Sequence, residues 1–249
     1  MKITVIQQDI AWKDVATNIE RLKRLVANAE RSDLYLFPEM CSTGFCMQPE
    51  GVAEDAEGRT VQRMKQLAVE FDAALAVPVM THIGGKYYNR MYFITPEGIK
   101  GTYDKCNLFE YSGEDKVFVP GKERVIWNWR GVRICPAICY DLRFPIWSRN
   151  HGDYDMILYV ASWPTPRVAA WSALLVARAI ENQCYVAGVN RVGTDPACQY
   201  CGGSVVIDPY GKTIASCADN QECEASAEID IEVLEAFRQK FHVLNDADF

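Results

Sequence analysis

VRICPAICYDLRFP (132–145) is an apolar run that stops at a small nucleophile and turns at once into polar residues. The β-branched and small apolar residues from Val132 to Ile138 predict a buried strand. The polar residues after it predict a short helix starting near 142. A strand feeding directly into a helix is the building unit of an α/β fold. Such folds place their sites at the C-terminal mouths of their strands. Cys139 stands at that mouth. Backbone donors at a helix start are expected to favour the thiolate, the attacking form of cysteine.

Outward from this stretch the alternation continues. A strand at 2–8 precedes a helix over 14–30, with Val15, Ile19, Leu22, Val26 and Ala29 at helical spacing. A strand at 33–37, a helix at 59–71 and a strand at 74–79 follow. Strands at 87–95 and 99–104 flank the turn Pro96-Glu97-Gly98. After a loop (106–122) come strands at 124–129 and 132–138, then one at 155–160 ending in a Pro-rich loop. A long helix over 166–181 leads to strands at 183–190, 203–208, 212–217 and 224–230, and a last helix covers 231–240. The hairpin at Asp208-Pro209-Tyr210-Gly211 implies antiparallel pairing. The expected fold is therefore a mixed α/β sandwich rather than a doubly wound sheet. No linker, repeat or low-complexity stretch divides the chain, so 1–249 reads as one domain.

Composition narrows the function. At 249 residues, 49% hydrophobic and 24% charged, the chain can bury a full core. A net charge of −7 argues against general nucleic-acid binding, which needs a basic face. A small anionic substrate needs only a few local arginines. Met1-Lys2 leads into an alternating strand without the apolar stretch of a signal peptide, and no run approaches a membrane span. Ten cysteines in such a chain read as free thiols in a reducing cytoplasm.

Two further residue types follow strand-like runs: Glu39 in LFPEM (36–40) and Lys105 in YDKCNLF (103–109). With Cys139 they supply what amide hydrolysis requires, namely a nucleophile, a base and positive charge for the oxyanion. Glu39 would take the thiol proton, deliver it to departing ammonia, and then activate water against the thioester. Lys105 would hold the oxyanion with the backbone N–H of Tyr140, keep Glu39 ionised and lower the Cys139 pKa. Glu114 in SGEDKVFVPG (112–121) would orient Lys105 or the water. Taken singly, Cys139 reads as a small buried hydrophobe, Glu39 as a solvated loop acid and Lys105 as surface charge. Spacing alone only suggests the set; their joint occurrence together with the family resemblance given below reverses that reading.

Other features point to no chemistry. Cys198-Gln-Tyr-Cys201 has CxxC spacing, but no second pair accompanies it and it opens no helix, as zinc and thioredoxin-like sites require. The distant alternative is a non-catalytic zinc or redox thiol protein built on that pair. Cys41 and Cys46 read as packing residues. His82, His151 and His242 lie in turn-like or terminal contexts, which disfavours a Cys–His hydrolase. Gly84-Gly85 is a turn and no phosphate loop. Cys106, beside Lys105, is a candidate for oxidation.

LFPEM, YDKCNLF and ICYDLRFP resemble the three signature blocks of the nitrilase superfamily, the carbon–nitrogen hydrolases. GEDKVFVPG resembles the segment carrying that family's second glutamate. WSALLVARAIENQCYVAGVNRVG (171–193) and YCGGSVVIDPYGK (200–212) resemble its later helix–strand block and hairpin. CYDLRFPIWSRN, ARAIENQCYVAGVNRVG and FRQKFHVLNDADF are similar to the bacterial omega-amidase branch. The resemblance implies a four-layer α-β-β-α fold, usually a homodimer. It implies a Glu39–Lys105–Cys139 set acting without metal or cofactor. The implied substrates are 2-oxoglutaramate and 2-oxosuccinamate, hydrolysed to the 2-oxo acid and ammonia. Other branches, the N-carbamoyl amidases, aliphatic amidases and nitrilases, share that set and form the near alternative. Arg143 lies one helical turn after Cys139 and suits a bidentate grip on a carboxylate. Its alternative is a salt bridge with Asp141 or Asp153. By resemblance, Trp163 in YVASWPTPR (159–167) forms a pocket wall. Arg167 adds charge to that wall or is a solvated helix start. Mammalian members carry a small polar residue there, so the pocket is expected to differ.

Overall fold

Strands that are apolar on both faces must be covered on both sides. The computed structural model describes residues 1–246, so Ala247-Asp248-Phe249 of the tail and of the expected domain lie outside the described residues. The first half contributes β1 (Lys2–Gln7), α1 (Val15–Asn28), β2 (Leu34–Leu36), β3 (Glu54–Asp55), α2 (Arg59–Phe71), β4 (Ala74–Ile83), β5 (Lys86–Thr95), β6 (Gly98–Asp104), β7 (Trp127–Trp129) and β8 (Val132–Ile138). The second half adds β9 (Met156–Ala161), α3 (Val168–Glu181), β10 (Tyr185–Asn190), β11 (Val192–Thr194), β12 (Gln199–Cys201), β13 (Val205–Ile207), β14 (Thr213–Ser216), β15 (Cys223–Glu228) and α4 (Ile231–Lys240).

Two large sheets result. One runs β15-β1-β2-β4-β5-β6 with β3 beside β4, and the other runs β14-β13-β10-β9-β8-β7. Each has a parallel centre, β1-β2-β4 in the first and β8-β9-β10 in the second, with antiparallel strands outside it. Side chains alternate between faces, as the strand period demands. Ile3, Val5, Leu34 and Leu36 of the first sheet pack with Met156, Leu158, Val160 and Val189 of the second, which makes a core between the sheets. On the outer face of the first sheet, Tyr35 and Leu75 meet Leu22, Val26, Met64 and Leu67 of α1 and α2. On the outer face of the second, Ile157, Tyr159 and Val186 meet Trp171, Leu175 and Ala179 of α3. The layers are thus α-β-β-α.

Strand direction positions the site. β5 reverses against β4 and β6 reverses again against β5, so β6 runs with β2 and β4. Glu39 just beyond β2, Lys105 just beyond β6 and Cys139 just beyond β8 therefore gather at one edge. Some elements differ from expectation. The expected strand at 124–129 begins only at Trp127, because Arg124 turns aside to Asp153, at 2.6 and 3.0 Å. The helix expected from 166 begins at Val168, after a 3-10 turn over Thr165–Arg167 that contains Pro166. The expected helix near 142 is a single 3-10 turn, Cys139–Arg143. The short pair β11–β12, unforeseen in the sequence, forms a ribbon of its own.

Candidate active site

The sheet edge brings Glu39, Lys105 and Glu114 into one buried cluster. Lys105 Nζ donates to Glu39 Oε1 at 2.9 Å and to Glu114 Oε2 at 2.8 Å, with all three side chains shut off from solvent. Ser162 N–H, at the end of β9, donates to Glu39 Oε2 at 2.9 Å. Phe109 N–H donates to Glu114 Oε2 at 2.7 Å. Asn89 on β5 donates through Nδ2 to Glu39 Oε1 at 2.8 Å and to Glu114 Oε1 at 3.0 Å. The Glu39 carboxylate also faces the Cys139 thiol.

Cys139 occupies a strained position. Its φ of 48° lies in the left-handed region, which costs a non-glycine residue about 1–2 kcal/mol. Asp141 secures the turn, accepting from Ile138 N–H at 2.9 Å, from Asn107 N–H and Nδ2 at 2.8 Å each, and from Tyr103 Oη at 2.7 Å. Such over-determination is what holds a strained backbone in place.

The electrostatics correct one expectation. A helix start and Lys105 were to lower the Cys139 thiol. Burial instead pushes it well up and Glu39 pushes it further, while the opposing pull of Lys105 does not offset them. One 3-10 turn has little dipole to offer, and Lys105 is already shared between two carboxylates. Burial alone would lower the Lys105 ammonium, but Glu114 and Glu39 hold it above its ordinary value. Burial raises Glu114, against the pull of Lys105. Cys106 is partly exposed, and burial pushes its thiol up to about 11, with Asp141 adding to the effect.

Cys139 opens onto a pocket of about 480 Å³, with Tyr140, Arg143, Trp163 and Arg167 in its lining. The Arg143 guanidinium lies 5.1 Å over the Trp163 ring and the Arg167 guanidinium 5.3 Å over Phe109. Neither arginine makes a salt bridge among the described residues. The acids offered as alternatives for Arg143 are engaged elsewhere, Asp141 with the nucleophile turn and Asp153 with Arg124. Trp163 is fixed by Asn190, which accepts from Trp163 N–H at 2.7 Å and donates to its carbonyl at 3.0 Å.

Asn89, Ser162 and Asn190 were not singled out from the sequence, and Asp141 was considered only as a salt-bridge partner for Arg143. Asn89 had a visible signal, a lone amide inside the strand run KYYNRMYFIT, where asparagine is disfavoured. Cys41 and Cys46 are buried packing residues, as expected. Cys201 lies on β12 and Cys198 just before it in the pocket wall, and no cluster of metal-ligating side chains occurs among the described residues. None of the three histidines lines the pocket.

Residues 2–239 match the family model for carbon–nitrogen hydrolases. The chain is 41% identical to an omega-amidase, YafV, of Yersinia enterocolitica, over 100% of this chain and 97% of that one. It is 32% identical to a 2-oxoglutaramate amidase of Bacillus subtilis, over 98% and 96%. Among solved structures, XC1258 of Xanthomonas campestris, a CN-hydrolase superfamily protein with an arsenic adduct in its active site, superposes with a TM-score of 0.96. That protein is 37% identical, over 100% of this chain and 97% of that one.

Proposed function

The chain belongs to the carbon–nitrogen hydrolase family, and on that premise we propose that it is an omega-amidase. It hydrolyses the terminal amide of 2-oxo dicarboxylic acid monoamides, 2-oxoglutaramate and 2-oxosuccinamate, to the 2-oxo acid and ammonia. The observation that carries this reading is a pocket lined by the Cys139 thiol, with the buried Glu39–Lys105–Glu114 cluster beyond it and two arginines without acidic partners in its wall. An arginine left unpaired beside a nucleophile suits a carboxylate brought by the substrate.

The geometry supports the following course. The Cys139 Sγ–H proton passes to Glu39 as sulfur bonds to the amide carbon, so no free thiolate has to be stored at rest. Lys105 Nζ and Tyr140 N–H stabilise the negative oxygen of the tetrahedral adduct. Glu39 returns the proton to the departing nitrogen, ammonia leaves, and a thioester remains on Cys139. Water gives a proton to Glu39 while attacking the thioester carbon, and the 2-oxo acid departs as the thiol is restored. Glu114 holds Lys105 in place. Arg143 and Arg167 bind the carboxylate end against the wall formed by Trp163. Substrate of this class arises where glutamine or asparagine donates its amino group in transamination.

The reading includes a single catalytic unit over 1–249, a cytoplasmic location and a homodimer. No helix among the described residues is long and apolar enough to cross a membrane. Ala169, Ala173 and Ile180 leave an apolar outer face on α3 that a second copy would cover; light scattering would give the mass. The deciding assay is ammonia release from 2-oxoglutaramate, glutamine and an N-carbamoyl amino acid by wild type and Cys139→Ala. Turnover of the 2-oxo amide alone, lost in Cys139→Ala, is expected. Cysteine-dependent turnover of only another compound would overturn the substrate and keep the chemistry.

A further inference from the structure

We propose that Asn89 is a positioning residue for this hydrolysis: its side-chain amide fixes the two glutamates around Lys105 and keeps Glu39 ready to accept a proton. The inference rests on the acid–base role proposed for Glu39.

Asn89 touches every charged member of the cluster. Its Nδ2 donates to both glutamates, at 2.8 and 3.0 Å, and its main-chain carbonyl accepts from Lys105 N–H at 2.9 Å. The side chain is 1% exposed, so water does not compete for these bonds. The orientation of the amide follows from chemistry, because the flipped form would set Oδ1 against two carboxylate oxygens.

The partners of the amide argue that the residue serves the site. Asn89 Oδ1 is buried without a hydrogen-bond partner among the described residues, as are Gln8 Oε1 and Gln183 Oε1. The difference lies in the donors: those of Gln8 and Gln183 go to main-chain carbonyls, those of Asn89 to the two glutamates. Here both donors are engaged by carboxylates and the acceptor is left bare, in a strand interior where asparagine is disfavoured. Two carboxylates share one ammonium, so the cluster carries a surplus negative charge. A donor to each carboxylate favours its ionised form, the form in which Glu39 can act as a base.

The test measures the pH dependence of kcat/KM in wild type and Asn89→Asp. It also follows alkylation of Cys139 by iodoacetamide, resolved by mass spectrometry of the Cys139 peptide. Aspartate has nearly the same shape, removes the donors and adds a negative charge. Expected are a fall in kcat/KM of about 10²-fold at neutral pH, an acidic limb moved to higher pH, and slower alkylation of Cys139 at a given pH. Circular dichroism gives the folded fraction. If the acidic limb and the alkylation profile stay at their wild-type positions, with any loss of rate tracking the folded fraction, Asn89 is structural and the proposal falls. Should Asn89→Asp not fold, Asn89→Ser keeps one donor; smaller shifts in the same direction support the proposal and unshifted profiles overturn it. The alkylation arm needs no substrate, so it reads Asn89 even if 2-oxoglutaramate is not the compound turned over.

Discussion

Strand β9 carries a buried carboxylate cluster at each end, and the two differ in charge balance. At its N-terminal end, Asp155 accepts from Arg133 N–H and Nε at 3.0 Å each, from Arg133 Nη2 at 2.6 Å and from Arg238 Nη1 at 3.1 Å. One carboxylate sits between two guanidiniums. At its C-terminal end, beside Ser162, two carboxylates sit around one ammonium. Burial pushes Asp155 up, but Arg133 and Arg238 more than offset it and hold the carboxyl below its ordinary range. Burial prevails at Glu114, which stays raised. Both clusters are well hydrogen-bonded, so bond number does not distinguish them. A surplus of cations fixes a charge permanently, whereas a surplus of carboxylates leaves a group that can accept a proton. The first arrangement joins strands and the second can perform acid–base chemistry.

Substitutions at the two ends should therefore separate turnover from folding. Cys139→Ala, measured by ammonia release, should lower kcat by on the order of 10⁵-fold, since it removes the route itself. Its melting temperature should change little. Glu39→Gln keeps the shape and loses the base, and a loss of about 10³-fold is expected, again with the fold intact. At the other end the order inverts. Asp155→Asn should destabilise by about 2 kcal/mol in urea unfolding, because two partly solvated guanidiniums lose their counter-charge. Its folded fraction should turn over at the wild-type rate. A large loss of kcat with unchanged stability in Asp155→Asn would break the comparison.

Acidification should sharpen it. The pKa of Asp155 is depressed in the folded state, so its contribution is present above the unfolded value of about 3.9 and is lost as pH falls through the folded value. The stability gap between wild type and Asp155→Asn should therefore narrow below about pH 4. Glu114 is raised, so protonating it favours the folded state. Glu114→Gln, by contrast, should destabilise at neutral pH by about 1–3 kcal/mol, since both carboxylate oxygens accept hydrogen bonds and the amide nitrogen would face a donor. The smallest effect is on binding. Arg143→Met should raise KM for 2-oxoglutaramate by about 10-fold, the loss of one charge-assisted contact. It should leave a neutral amide untouched, and Arg167→Met should do the same more weakly.

Much of this was legible in the sequence. The apolar runs and their punctuation placed most of the strands and helices, because strands buried on both faces read as continuous apolar stretches. Glu39, Lys105 and Cys139 stood out because they follow such runs together and, with Glu114 in its loop, match the family's signature blocks. Asn89, Ser162 and the part played by Asp141 stayed hidden because their partners lie far away in the chain, as with Ser162 and Glu39, 123 residues apart. The balance of Arg143 was undecidable in sequence, since it depended on Arg124 having already taken Asp153. The ribbon β11–β12 escaped because Val-Gly-Thr and Gln-Tyr-Cys carry neither an apolar run nor a clear alternation. The direction of the Cys139 shift was misjudged because sequence supplies neighbours along the chain but not depth.

The active edge draws Glu39 and Lys105 from one sheet and Cys139 and Ser162 from the other. No fragment holding a single sheet contains the nucleophile together with its base. The two sheets meet mainly through a layer of apolar side chains, with polar contacts at the margins, such as Trp129 Nε1 to the Asp33 carbonyl and Tyr103 Oη to Asp141, at 2.7 Å each. The Glu39 carboxylate, held by Ser162 of the opposite sheet, acts as a registration pin for that layer. Turnover in this protein is therefore also a gauge of alignment between its two halves: a chain that has kept its strands but lost their mutual register keeps every catalytic residue and has no active site.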